Sequence, residues 1–94
     1  MFFADNIKLV ILFGSRATET AGAGSDADIA ALADHVLSLE EKVLIGEESA
    51  RILAVSEDAV DVVDIQRASP LLQHEIARHG RLIHGNPFDF TRFR

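Results

Sequence analysis

Residues 7–15 read Ile7-Lys8-Leu9-Val10-Ile11-Leu12-Phe13-Gly14-Ser15. Apolar side chains fall on both parities of this run, and Ile7, Val10 and Ile11 are β-branched. That pattern predicts a strand buried on both faces, as in an α/β sheet, rather than one with a wet side. Gly14-Ser15 ends it. A strand covered on both faces needs packing layers on both sides, so the rest of the chain has to supply helices.

Working outward, residues 16–25 hold Thr, Glu, Gly and Ser, with Gly22 close to Gly24. They read as a loop with room for one helical turn after Ser15. Asp26 to Ala33 reads as a second strand. Ser38-Leu39-Glu40-Glu41 is a capping box: the serine caps, and the glutamate three residues on reaches back. It starts a helix over about 39–54, weakened by Gly46. The expected core positions are Val43, Leu44, Ala50, Leu53 and Ala54. Val60 to Ile65 reads as a third strand. Ser69-Pro70 starts a second helix, which stops at Gly80. Arg81 to His84 forms a short edge strand, and Asn86-Pro87 opens a last helix over 87–94. The expected architecture is one α+β domain over residues 1–94. It is a small mixed sheet of three to four strands with helices packed on it. No internal repeat, low-complexity tract or linker divides it.

Composition narrows the classes. The 94 residues are 48% hydrophobic, contain no cysteine, and carry fifteen acids against nine bases for a net charge of −6. One small core is expected, burying roughly 64% of the unfolded chain's surface. The lack of cysteine excludes disulfide scaffolds, thiolate zinc sites and cysteine nucleophiles. No apolar run reaches the ~18 residues of a membrane span, and no basic region of a signal peptide opens the chain. The acidic balance disfavours direct binding to nucleic acid. The expectation is an acidic domain of the cytoplasm, with no membrane partner.

Three pieces carry the chemistry: Gly14-Ser15 after a buried strand, Asp26-Ala27-Asp28 on the next, and Asp61 on the third. Alternation puts Asp26 and Asp28 on one sheet face. Carboxylates this close repel unless a cation lies between them, and hard oxygen ligands favour Mg²⁺ over zinc. Gly14 lets a backbone approach closely, and exposed N–H groups at such a turn suit a phosphate. A phosphate cradle facing a carboxylate pair is the arrangement of metal-assisted phosphoryl or nucleotidyl transfer. Asp61 would complete the metal set or take a proton from the attacking hydroxyl. Asp64, three residues on, points to the opposite face and reads as a surface or supporting residue.

The glycine-serine pair, ten intervening residues and an Asp-x-Asp resemble the signature of the DNA polymerase β-like nucleotidyltransferases. LFGSRATETAGAGSDADIA, then VDVVDI and SPLLQHEIARHGRLIH, is similar to the minimal nucleotidyltransferases called MNT, over nearly the whole chain. That resemblance implies an antitoxin paired with a HEPN-domain ribonuclease toxin, silencing it by moving AMP from ATP onto a tyrosine. It implies Gly14, Ser15 and Arg16 at the triphosphate, and Mg²⁺ on Asp26, Asp28 and Asp61, the three catalytic acids. A silent antitoxin that works by binding, and transfer to a small molecule, are the alternatives. Thr18 and Glu19 depart from the family's Arg-Gly at those positions. Only six residues precede the first strand, where an amphipathic helix is usual.

His35, His74, His79 and His84 form no metal spacing; His79, with Arg78, complements a helix C-terminus. Phe88, Phe90 and Phe93 near the C-terminus, like Phe2-Phe3 at the start, either fold back on the core or form a docking patch. The shortness of the tail favours docking.

Overall fold

The expected run from 7 to 13 is strand β1 (Ile7–Phe13), and it lies inside the sheet with Lys8 alone of its residues exposed. The computed structural model describes residues 3, 6–14 and 27–93. After β1 come β2 (Ala27–Ala33), α1 (Leu39–Leu53), β3 (Val60–Asp64), α2 (Pro70–His79), β4 (Arg81–Gly85) and α3 (Pro87–Phe93). Short 3₁₀ turns, Glu57–Ala59 and Ile65–Arg67, flank β3.

The four strands run in the order β3-β2-β1-β4. β1 pairs antiparallel with β2 and with β4, whereas β2 and β3 are parallel, as the α1 crossover between them requires. The sheet is therefore mixed, and β4 is an edge strand as expected. A register shift between Ile7 and Leu9 inserts a bulge in β1. It breaks strict alternation, so Ile7 shares a face with Val10 and Leu12 rather than with Leu9 and Ile11.

Two apolar layers result. On one face Val10, Leu12, Ile29 and Ala31 pack under Ile45 of α1. On the other, Leu9, Ile11 and Ala30 pack against Ile65 and against Ile76 of α2, with Phe90 of α3 at the margin. β2 contributes four fully or nearly fully buried alanines, small enough for helices to approach both sides.

The helix boundaries follow the local signals. Ser38 Oγ accepts from Glu41 N at 3.1 Å, and Glu41 Oε1 accepts from Ser38 N at 2.9 Å. Ser69 caps α2 through Leu72 N at 3.2 Å, with Pro70 in its first turn and Gly80 at its end.

Several expectations need correction. α1 turns Ile45, Ser49 and Ala50 inward, not Val43 and Leu44, which stand 52% and 62% exposed. Ala54 is the exposed left-handed cap of α1, with φ 59°, rather than a core residue. The third strand ends at Asp64, and Ile65 begins the 3₁₀ turn. Phe3 does not project for docking: it is buried, its ring 4.9 Å from that of His84. Phe90 is likewise packed in cis, whereas Phe88 remains exposed. Phe2, the side chain of Phe93 and the loop over 16–25 lie outside the described residues.

Candidate active site

Strand pairing brings the described members of the predicted constellation into one row. Phe13 is the partner of Asp28 across the β1–β2 ladder, and Asp28 is the partner of Asp61 across the β2–β3 ladder. Gly14 follows Phe13 at the end of β1. Gly14, Asp28 and Asp61 thus cross three adjacent strands. Neighbouring strands lie about 4.8 Å apart, and residues in register project to the same side. That side carries Ala30 and α2; Asp28 is half-buried and Asp61 exposed.

Gly14 has φ +81°, in the left-handed region that a Cβ disfavours. A methyl group there would also be driven into the Asp28 carboxylate. The glycine therefore does two things: it turns the chain out of the strand, and it lets the Asp28 carboxylate lie directly against the backbone of the turn. Ser15, Arg16 and Asp26 lie outside the described residues, as do Thr18 and Glu19.

Of the two places expected for Asp64, surface or supporting, the structure shows the second. It points to the opposite face, as predicted, but it is 2% exposed and is no surface residue. Its Oδ2 accepts from Leu37 N at 2.8 Å and its Oδ1 from Gln66 N at 2.9 Å. Gln66 donates in turn through Nε2 to the Ala33 carbonyl at 2.8 Å. These bonds tie the end of β3 to the end of β2 and so help to fix the register that sets Asp61 beside Asp28. The sequence signal for the local half was present, an aspartate capping a turn two residues on. The bond to Leu37, 27 residues away, had none.

At the exit of β2, His35 sits between two carboxylates, with Nδ1 2.6 Å from Asp34 and Nε2 2.7 Å from Glu41. Hydrogen bonds first to Asp34 and then to Glu41 hold its pKa above the usual 6.5. The Ser38 backbone, then His35, hold the Glu41 carboxyl below its usual value of 4.5. This cluster supports the β2–α1 turn, at the opposite end of β2 from Asp28.

The described site is thus a glycine turn at the end of the first strand of a mixed sheet, with acids in register on the next two. A family model described as polymerase beta, nucleotidyltransferase, matches residues 2–88. The chain belongs to that family. The protein adenylyltransferase MntA of Aphanizomenon flos-aquae is 33% identical over 100 residues, spanning 94% of this chain and 64% of that protein. The MntA of Shewanella oneidensis is 32% identical over 92 residues, spanning 95% of this chain and 64% of that one. The chain thus spans a little under two thirds of the length of these curated relatives. Among solved structures, a toxin–antitoxin complex with AMP-PNP matches with a TM-score of 0.76 at 30% identity, over 96% of this chain and 70% of that chain. A complex of the tri-AMPylated Shewanella oneidensis HEPN toxin with its MNT antitoxin matches with a TM-score of 0.67 at 28% identity, over 96% of this chain and 66% of that chain. The fold expected from the sequence is the fold of these proteins.

Proposed function

We propose that this chain is an Mg²⁺-dependent protein adenylyltransferase that acts as an antitoxin, moving AMP from ATP to a tyrosine hydroxyl of a HEPN-domain toxin. The observation that carries the reading is the row of Gly14, Asp28 and Asp61 across β1, β2 and β3. The names of the relatives, and the AMP-PNP and AMPylated-toxin complexes among the similar structures, support ATP as the substrate and a HEPN toxin as the partner.

The residues present suit a hard divalent cation. Two carboxylates in register on adjacent strands offer only oxygen ligands, and the missing Cβ of Gly14 lets one of them lie against the backbone turn. Asp26 and Asp28 would hold Mg²⁺, with Asp61 beside them; when bound, the ion offsets charge on the triphosphate oxygens.

The chain's own groups do the rest. Gly14 admits the triphosphate close to the backbone, and Ser15 and Arg16 contact its oxygens. Asp28, its carboxylate set against the Gly14 turn, would hold the cation at the strand ends. Asp61, at the exposed edge of the row, accepts the proton of the attacking hydroxyl. The hydroxyl oxygen bonds to the α-phosphorus, the bond to the bridging oxygen breaks, and pyrophosphate leaves.

A second reading is favoured by Glu19, an acid where the family carries glycine, near the expected triphosphate: a silent antitoxin that only covers the toxin. One experiment separates the two. The chain is co-purified with the product of its neighbouring gene, Mg²⁺ and ATP are added, and intact mass is read. The transferase adds one or more AMP units to the partner, and Asp26→Asn with Asp28→Asn abolishes the gain. A tight complex with no mass change sinks the transferase and leaves the silent antitoxin.

A further inference from the structure

The outer side of α1 is where this small domain departs most from an ordinary surface. Leu39 is 80% exposed, Leu44 62% and Val43 52%. Monomeric domains seldom leave several large apolar side chains together in water on one helix. Two grooves meet there. One, of about 470 Å³, runs along the exposed side of the helix between Leu39, Val43 and Leu44. The other, of about 320 Å³, lies between α1 and the edge strand β3 and reaches Asp61. Leu39, Val43 and Glu47 line both, so they form one continuous surface. It starts on the helix and ends at the sheet edge at Asp61, from which the acid row runs on the other face.

Its charge is one-sided. Among the residues lining the two grooves, five are acidic (Glu40, Glu41, Glu47, Glu57 and Asp61) and Lys42 is basic. A second copy of this chain would bring the same acids, and a net charge of −6, against them. An apolar strip with acids along its flanks instead complements an amphipathic segment whose polar side is basic, docked in helix-in-groove fashion.

We infer that the outer face of α1 and the α1–β3 groove form the docking surface for a basic, amphipathic segment of the acceptor protein, which this surface delivers to Asp61. The identification of that protein rests on the function proposed above. The surface itself rests on exposure, groove continuity and charge. In this arrangement the apolar strip holds the partner, and the groove leads its chain over the sheet edge toward the site.

The test uses the full chain and its HEPN protein. Leu39→Asp with Val43→Asp should weaken the complex at least about tenfold, as loss of a central apolar anchor does. Melting temperature and AMP-PNP binding should stay as in the wild type, because both side chains stand in water. Glu40→Gln with Glu47→Gln should weaken the complex about threefold and flatten its salt dependence. Unchanged affinity in both variants overturns the docking face. So does a homodimer of the free chain, detected by sedimentation and dissolved by the aspartate pair, which would make a second copy the occupant. An affinity lost with Leu39 and Val43 but indifferent to salt overturns the basic character of the partner. A wild-type complex that forms without AMP transfer sinks the transferase alone, and the docking face is then judged on binding.

Discussion

Asp61 and Asp64 lie three residues apart on β3 and do opposite work. Asp61 is exposed, in register with Asp28, and nothing in the core depends on it. Asp64 is buried and accepts two backbone N–H groups from separate segments. Removing a buried acceptor leaves its donors unsatisfied, so Asp64→Ala should cost about 2 kcal/mol in urea unfolding. Asp61→Asn should change stability by less than about 0.5 kcal/mol and abolish AMP transfer. If Asp64→Ala unfolds like the wild type, its two bonds do not hold the sheet end. Gly14 combines both kinds of demand. Gly14→Ala meets a left-handed backbone, worth about 1 kcal/mol, and pushes on the Asp28 carboxylate. Transfer should therefore fall much further than stability does, a split read by comparing kcat at saturating ATP with the urea midpoint. A parallel loss of both would reduce Gly14 to a turn residue. The Gly–Asp–Asp row was legible because glycine, Asp-x-Asp and a strand-borne third acid each carry their meaning in spacing. The role of Asp64 was not, because its partner Leu37 is distant in sequence.

At the scale of elements, strand and helix boundaries were written locally, in the apolar run, the capping box and the serine-proline start. The inward side of α1 was not. Leu39, Val43, Leu44, Ile45, Ile52 and Leu53 are spread around the helix, and no single apolar stripe fixes its rotation. Contact with β3 decides it. Gly46 faces Val60 and Val62 of β3, and with that side against the strand Ile45, Ser49 and Ala50 are buried. The start of α1 also carries a titratable clasp. Pairing of His35 raises its folded pKa, so its contribution is full below 6.5 and fades as pH rises through the raised value. Glu41 is lowered, so its contribution is present above 4.5 and fades as pH falls through the depressed value. Both contributions are in place between those ordinary values. Melting temperature followed from pH 4 to 9 should thus show a small maximum near pH 5–6 that His35→Ala removes. An identical profile in the variant would mean that the clasp is too solvated to matter, the usual fate of exposed pairs.

The molecule as a whole divides its labour between two sheet faces. Under α1 lies the larger apolar cluster, which carries the stability. The face under α2 ends in the acids, and those acids sit on a chain of net charge −6. A triphosphate approaching Asp26, Asp28 and Asp61 therefore meets like charge from the site and from the surrounding domain, and little in the composition offsets it. A divalent cation reverses the sign locally. Affinity for AMP-PNP, measured by calorimetry, should drop at least about tenfold when EDTA replaces Mg²⁺. The drop should shrink in Asp26→Asn with Asp28→Asn, which removes two of the repelling charges together with their share of the cation. That variant should also bind metal-free nucleotide more tightly than the wild type does, while failing to transfer AMP. Equal wild-type affinity with and without Mg²⁺ would mean that the nucleotide is held away from the carboxylates, by groups the acid row does not oppose, and the row could then not be the transfer site.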